Sequence, residues 1–232
     1  APTGEWDFES ATSFKGNEGQ SLDHAGVALT LGWQVSDAWR FKSITAYRDL
    51  DLDNYVDIDA SRWELGDVFV GVDQNQFSQE FQLLFDGGGP LTAVVGAYYM
   101  SEEITSHQEA YADDFLTLGA LPLTFLRTVD DDLQTDSYAL FGQAIYAIND
   151  LVNVTAGLRY TKDDKDYFRT TSTFSNFAAL RGTFEYPDDD SWAAWTPSVS
   201  VDYKVTDDSR LYATSLPGSQ SVGYNGRDHT PG

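Results

Sequence analysis

From Ala25 to Val35 every odd position is apolar or aromatic (Ala25, Val27, Leu29, Leu31, Trp33, Val35), while Gly26, Ala28, Thr30, Gly32 and Gln34 fill the even ones. Val152, Val154, Ala156, Leu158 and Tyr160 repeat the pattern against Asn153, Thr155, Gly157, Arg159 and Thr161. Trp195, Pro197, Val199, Val201 and Tyr203 do so against Thr196, Ser198, Ser200, Asp202 and Lys204. Successive side chains of a strand point to opposite faces, so each segment predicts a strand with one apolar and one polar face. No segment carries a helical period. Turn residues between alternating runs divide the chain into roughly nine strands, near 6–13, 24–35, 39–49, 76–85, 91–104, 136–148, 152–162, 195–204 and 210–215. In Trp39–Asp49 the apolar residues split between parities, Phe41 and Tyr47 against Ile44 and Ala46, so that strand has no assigned orientation.

The apolar faces tend to end in rings: Trp33, Tyr138 and Tyr146, Tyr160, Trp195 and Tyr203. A strand that crosses a bilayer places amphipathic rings at the headgroup level, whereas a sandwich core has no such need. The links point the same way. Those at 36–38, 86–90, 149–151 and 205–209 are tight, and they alternate with long ones near 14–23, 50–75, 105–135 and 163–194. Short turns on one side and long loops on the other are the rule for outer-membrane barrels.

Composition changes the picture in three ways. Zero Cys in 232 residues excludes a disulfide framework, a thiolate metal site and a Cys nucleophile. A net charge of -23, from 14 Lys and Arg against 37 Asp and Glu, argues against binding nucleic acid, which takes Lys and Arg to displace counterions. Spans 49–75, 101–137 and 162–194 hold about 24 of the 37 acids, so the negative charge is expected on the long loops of one rim. That rim disfavours strongly anionic ligands. The first residues, Ala1 to Trp6, carry no signal-peptide pattern, and no apolar run is long enough for a transmembrane helix.

Phe77-Ser78-Gln79-Glu80-Phe81-Gln82-Leu83, followed by a Gly-rich turn and Val95-Gly96-Ala97-Tyr98-Tyr99, resembles a recurring hairpin of TonB-dependent outer-membrane receptors. Phe41 to Arg48 resembles the strand before it, and Ala156-Gly157-Leu158-Arg159-Tyr160-Thr161, Trp195-Thr196-Pro197, Leu211 to Ser215 and Gly223-Tyr224-Asn225-Gly226 are similar to later elements in the same order. The stretch 216–222 departs from the family pattern, and Pro217 removes a ladder donor there. The resemblance implies an all-β fold: an antiparallel transmembrane barrel segment, about nine strands of a 22-stranded barrel, over residues 1–232. It implies a plug domain and further barrel strands outside this chain, the latter supplied by the same protein or by other chains. It also implies the outer membrane of a Gram-negative bacterium, with lipid and lipopolysaccharide around the barrel. The expected activity is uptake of a scarce small-molecule nutrient (a ferric siderophore, haem, cobalamin or a glycan), driven by a periplasmic TonB-type energy transducer acting through the plug.

Gln143, Asn153, Arg159, Thr196, Ser198, Ser200 and Asp202 fall on lumen-facing parities and are candidates for substrate contact, against the plainer role of hydrating the lumen or touching a plug. Loop aromatics, among them Trp63, Tyr111, Phe115, Phe174, Phe177 and Phe184, are candidates for gripping a ligand at the mouth. Asp49-Leu50-Asp51-Leu52-Asp53-Asn54 looks like the start of a calcium loop, but Asn54 stands where the EF-hand needs Gly and Ala60 where it needs Glu. Loop-bound Ca²⁺ at Asp49, Asp51, Asp53, Asp130, Asp131 and Asp132 stays open beside a merely solvated acidic face; no other cofactor is expected. His24, His107 and His229 are scattered, and no phosphate loop, nucleophile elbow or HExxH is present, so no enzymatic activity is expected. Two other readings remain at this point: a barrel component with no transport role, and a secreted acidic β-sandwich that binds Ca²⁺ or carbohydrate.

Overall fold

The computed structural model describes residues 11–13, 19–58, 60–112, 114, 124–219 and 223. Eight strands follow one another in chain order: β1 (Gln20–Gln34), β2 (Trp39–Val56), β3 (Asp67–Asp86), β4 (Leu91–Ala112), β5 (Phe125–Asn149), β6 (Val152–Ser175), β7 (Gly182–Lys204) and β8 (Arg210–Ser215). They form a single antiparallel meander in which each strand bonds only to its sequence neighbours. One 3₁₀ turn, Ala178–Leu180, caps the β6–β7 hairpin. Of the nine expected strands, the one near 6–13 falls largely outside the described residues, and 11–13 are not strand.

Register assigns the faces. Every odd residue of β1 and β2 in the pairs Val27–Tyr47, Leu29–Thr45, Leu31–Ser43 and Trp33–Phe41 shares the convex side with Phe77, Gln79, Phe81 and Leu83 of β3. The β2 strand, whose orientation the pattern left open, therefore turns Phe41 and Tyr47 outward and Arg40, Lys42 and Arg48 inward. The concave face is the crowded one: Thr135, Ser137 and Ala139 are buried, whereas outward Leu140 is 64% exposed. Gly96 lies on that inner face, where an added Cβ would run into the Phe141 ring; its missing side chain lets the ring lie across the strand.

Two aromatic belts bound an apolar outer band. Tyr47 and Trp39, Phe77 and Phe85, Tyr99 and Leu91, Tyr138 and Tyr146, Tyr160 and Val152, and Trp195 and Tyr203 are same-face pairs, each eight positions apart. The upper members are register partners two by two: Tyr47 with Phe77, Tyr99 with Tyr138, Tyr160 with Trp195. Between β3 and β4, and again between β5 and β6, the belt drops by two residues relative to the hydrogen-bonded row, because Phe77 pairs with Ser101 and Tyr138 with Lys162. The lower belt makes the same steps. A stagger of about one residue per strand, with a rise of ~3.3 Å and a spacing of ~4.8 Å, tilts the strands by roughly 35°. Eight residues at that tilt span roughly 22 Å, close to the ~25 Å band of an outer-membrane barrel. Belt rings touch across strands, with centroids 4.9 Å apart for Trp39–Phe85, 5.1 Å for Tyr99–Tyr138 and 4.8 Å for Tyr160–Trp195.

The long links prove to be mostly strand. Segments 50–75, 105–135 and 163–194, expected as loops, are largely the upper halves of three hairpins, and the links between strands shrink to 57–66, 113–124 and 176–181. Alternation continues there with its faces exchanged. In Asp49-Leu50-Asp51-Leu52-Asp53 the acids point outward and the leucines inward. The acids thus sit on strand faces above the upper belt rather than on loops.

Val95 lies midway between the belts on the outer face, and Val94 beside it points into the lumen. Replacing Val95 with Arg is expected to cost about 2–4 kcal/mol of barrel stability in lipid, and Val94→Arg clearly less. Denaturant unfolding of the vesicle-folded protein checks this; equal costs would contradict the assigned faces.

Candidate functional site

The lumen-facing patch is built by β5, β6 and β7. Register places Gln143, Gly157 and Ser198 in one row, Arg159 beside Thr196 in the next, and Asn153 beside Asp202 nearer the tight turns. All the polar strand candidates, Thr196 and Ser200 included, share this inner face, which small residues keep open. Asp202 is within 3.6 Å of Arg210 on β8. Beyond Ser215 the chain leaves the sheet, and residues 216–219 line an open pocket of about 550 Å³ with Arg159, Thr161, Asp163, Trp192 and Thr196.

Arg159 is the ordered cation of this patch. Its Nε donates to Thr161 Oγ1 at 3.0 Å, and its guanidinium lies 5.7 Å from the Tyr98 ring and 5.8 Å from the Phe141 ring. The two rings and the Thr161 hydroxyl hold the guanidinium on the inner face. Among the described residues no wall carboxylate pairs with it. Such a group can receive a planar anion, from a ligand or from a protein segment filling the lumen.

The other candidates lie elsewhere. Tyr111 is on the outer face near the rim, opposite Asp67, and Trp63 sits in the 57–66 link with Arg62 stacked 4.7 Å over its ring. Neither joins the lumen patch, and Phe115 falls outside the described residues. Asp130 and Asp132 point outward and Asp131 inward, as successive strand residues must, so the three carboxylates do not converge. Asp49, Asp51 and Asp53 stand on the outer face beside Asp23 and Asp73, each in register with Asp51. Desolvation against the sheet, then the charges of Asp73, Asp53, Asp23 and Asp49, push the Asp51 carboxyl above its ordinary range.

Two features were not legible in the sequence. Of the ten Lys and Arg in the described strands, Lys162 alone points outward; Arg40, Lys42, Arg48, Arg127, Arg159, Lys165, Arg169, Lys204 and Arg210 face the lumen. The expectation that an acidic rim disfavours anionic ligands therefore loses its basis, since wall cations look inward and most strand acids outward. The missing orientation of β2 hid three of those cations. The second feature is a buried cluster on the inner wall above the membrane. Arg169 grips Asp131 through Nε at 2.6 Å and a terminal nitrogen at 2.8 Å, Tyr167 donates to the same carboxylate at 2.5 Å, and Ser106 donates at 3.3 Å. Burial, then the Asp131 hydrogen bond, holds the Tyr167 hydroxyl well above its usual range.

On the outer face His107 is held between Asp130, 2.6 Å from Nδ1, and Glu109, 3.1 Å from Nε2. The Asp130 hydrogen bond, then that of Glu109, raises its pKa against partial desolvation.

A protein-family model described as TonB dependent receptor-like, beta-barrel matches residues 2–223. The fold is similar to that of the ferric yersiniabactin uptake receptor FyuA from Yersinia pestis, at 15% identity and a TM-score of 0.66, covering 83% of this chain and 27% of that one. It is similar to the siderophore receptor PiuA from Acinetobacter baumannii, at 14% identity and a TM-score of 0.59, over 85% of this chain and 32% of that one. A third likeness is to the ferric citrate transporter FecA in its unliganded form, at 16% identity and a TM-score of 0.51, over 84% and 27%. The chain spans roughly a quarter to a third of the length of these solved structures.

Two outcomes follow from the charged clusters. Arg169→Met is expected to destabilise the upper hairpins by about 3–5 kcal/mol by leaving the buried Asp131 charge without its counter-charge, and adding Asp131→Leu recovers most of that loss; thermal unfolding of the three proteins checks it. His107 gains charge-dependent stability that is complete below its unfolded pKa near 6.5 and fades as pH rises through the higher folded value. His107→Gln removes that dependence, and histidine proton NMR reads the raised pKa directly.

Proposed function

The chain belongs to the TonB-dependent receptor β-barrel family, whose barrels sit in the Gram-negative outer membrane, and on that premise we propose that it is the substrate-conducting wall of a nutrient uptake receptor. The parent protein takes up a scarce small molecule, with a ferric siderophore as the first choice among siderophore, haem, cobalamin and glycan. That preference rests on the likeness of the fold to the ferric yersiniabactin uptake receptor and to the siderophore receptor. A plug domain fills the lumen, further strands close the barrel, and a periplasmic TonB-type transducer supplies the energy through the plug.

The observation that carries this reading is the two-faced wall. Its outer band is apolar between two belts except for the mutually bonded Ser43, Thr45 and Gln79, while its inner face bears Gln143, Arg159, Ser198 and the β2 cations. A polar, cation-bearing inner face suits a wall along which a polar or anionic cargo passes. In such a receptor this wall binds and orients rather than reacts, and Arg159 receives an anionic group of the cargo or of the plug.

The test is uptake of radioactive iron by iron-starved cells with the parent gene intact, deleted, or intact in a background lacking the energy transducer. The expected result is a ferric chelate whose uptake needs both gene and transducer. Uptake that persists without either would sink the reading.

A further inference from the structure

The stretch that departs from the family pattern, 216–222, begins where β8 stops. The β7–β8 register runs up to Val199 opposite Ser215, so the next rung of the same kind would set Pro197 against Pro217. Antiparallel rungs alternate between those whose residues exchange hydrogen bonds and those whose backbone groups point away. The Val205 N–H donates to the Ser209 carbonyl at 2.9 Å, in the same register, so odd positions of β7 bond toward β8. On the other side the Lys204 N–H donates to the Leu151 carbonyl at 2.8 Å, so even positions bond toward β6. Pro197 therefore leaves the β6 ladder intact. Toward β8 its rung lacks both donors, because Pro217 has no N–H either. Neither hydrogen bond of that rung can form, and the strand pair unzips there.

From that rung the chain folds across the inner face of the sheet. Residues 216–219 share the open pocket with Arg159 and Asp163 of β6 and with Trp192 and Thr196 of β7. In register Arg159 faces Thr196 and Asp163 faces Trp192, all of them inward. The segment is lightly held. Ser219 Oγ lies 3.4 Å from Thr196 Oγ1, Leu216 is 65% exposed, and Leu216-Pro217-Gly218-Ser219 carries no charge with which to anchor itself. A segment with few contacts, next to a rung that cannot zip, opens at low free-energy cost.

We propose that residues 216–219 form a strap over the Arg159 patch, hinged at the Pro197–Pro217 rung, and that its position sets how far an anion can reach the Arg159 guanidinium. Laid against Thr196, the strap narrows the approach; swung aside, it frees Arg159. Being uncharged, it screens the cation without pairing with it. Its action depends neither on which molecule the receptor carries nor on energy coupling.

The experiment uses the full-length parent receptor and two readouts by mass spectrometry: amide hydrogen exchange, and the rate at which phenylglyoxal modifies Arg159. In the unmodified receptor 216–219 is expected to exchange about tenfold faster than 211–215. The paired Pro197→Val and Pro217→Val variant restores both donors and is expected to slow exchange at 216–219 about tenfold. In that variant Arg159 reacts about threefold faster, the change expected if the strap lies over it about two-thirds of the time, while Arg40 on β2 reacts as before. A second variant, Thr196→Cys with Ser219→Cys, locks the strap down through a disulfide. It slows the Arg159 reaction, and reduction restores the rate, so the test stands even where the valine variant fails to fold. Exchange at 216–219 as slow as at 211–215 in the unmodified receptor overturns the proposal. So does fast exchange that persists in a folded valine variant, or an Arg159 rate that is equal in all forms.

Discussion

Hydrogen bonding between neighbouring backbones is the interaction on which everything else in this chain depends. Among the described residues the buried hydrophobics are only Ala112, Val129, Ala139 and Tyr167, so no packed core holds the sheet together. Hydrocarbon offers no partner to a peptide group, and each one left unsatisfied costs several kcal/mol. The ladder from β1 to β8 is therefore a condition of existing in lipid, not a gain among others. It also sets a demand. The outer edge of β1 and the part of β7 above Val199, which β8 does not reach, have no partner among the described residues. Within the bilayer such edges must be paired, which is the physical reason for proposing further strands around them.

With the backbone satisfied, side chains are free to answer to their solvents, and this sheet has three of them. Between the belts the outer face meets lipid and the inner face a wet lumen, so apolar residues point out. Above the belts water lies outside, and the acids move outward. The Asp131–Arg169 pair fits the same logic: a charge required to face inward above the membrane is matched within the wall. The price falls on Asp51, crowded by four carboxylates on the outer face.

What could be read in the sequence follows from where one solvent governs. Val27 to Trp33, Val152 to Tyr160 and Trp195 to Tyr203 alternate cleanly because lipid tolerates few exceptions, and their faces, turns and candidate lumen residues emerge from parity alone. The β2 strand resisted because its outer face carries Ser43 and Thr45, which satisfy their hydroxyls on Gln79 of β3 at 3.0 and 2.6 Å. No single-strand pattern shows that a partner makes a polar residue acceptable toward lipid. The upper hairpins were missed for the opposite reason. Asp49-Leu50-Asp51-Leu52-Asp53 alternates perfectly, yet its acid content suggests a loop unless alternation is followed through a change of solvent. The Arg159 stack and the Asp131 cluster join residues on different strands, and neither was accessible until register was known.

Belts and faces together determine that register, and neither suffices alone. A slip of one residue between β3 and β4 would turn a whole strand over, carrying Tyr98 and Met100 into lipid and Tyr99 into the lumen, so opposed faces exclude every odd slip. A slip of two preserves the faces and escapes that penalty. It would move Tyr99 level with Phe77 or four residues from it, breaking the belt's steady descent of two residues for every two strands. Rings would then sit in the apolar band or out in water, and the local tilt would no longer match that of β5 and β6. The headgroup preference of Tyr and Trp thus does what hydrophobic patterning cannot: it distinguishes even slips from the native pairing. That is why the belts matter to the lumen as well as to the lipid. They fix the height at which Arg159, Gln143 and Ser198 face one another across three strands.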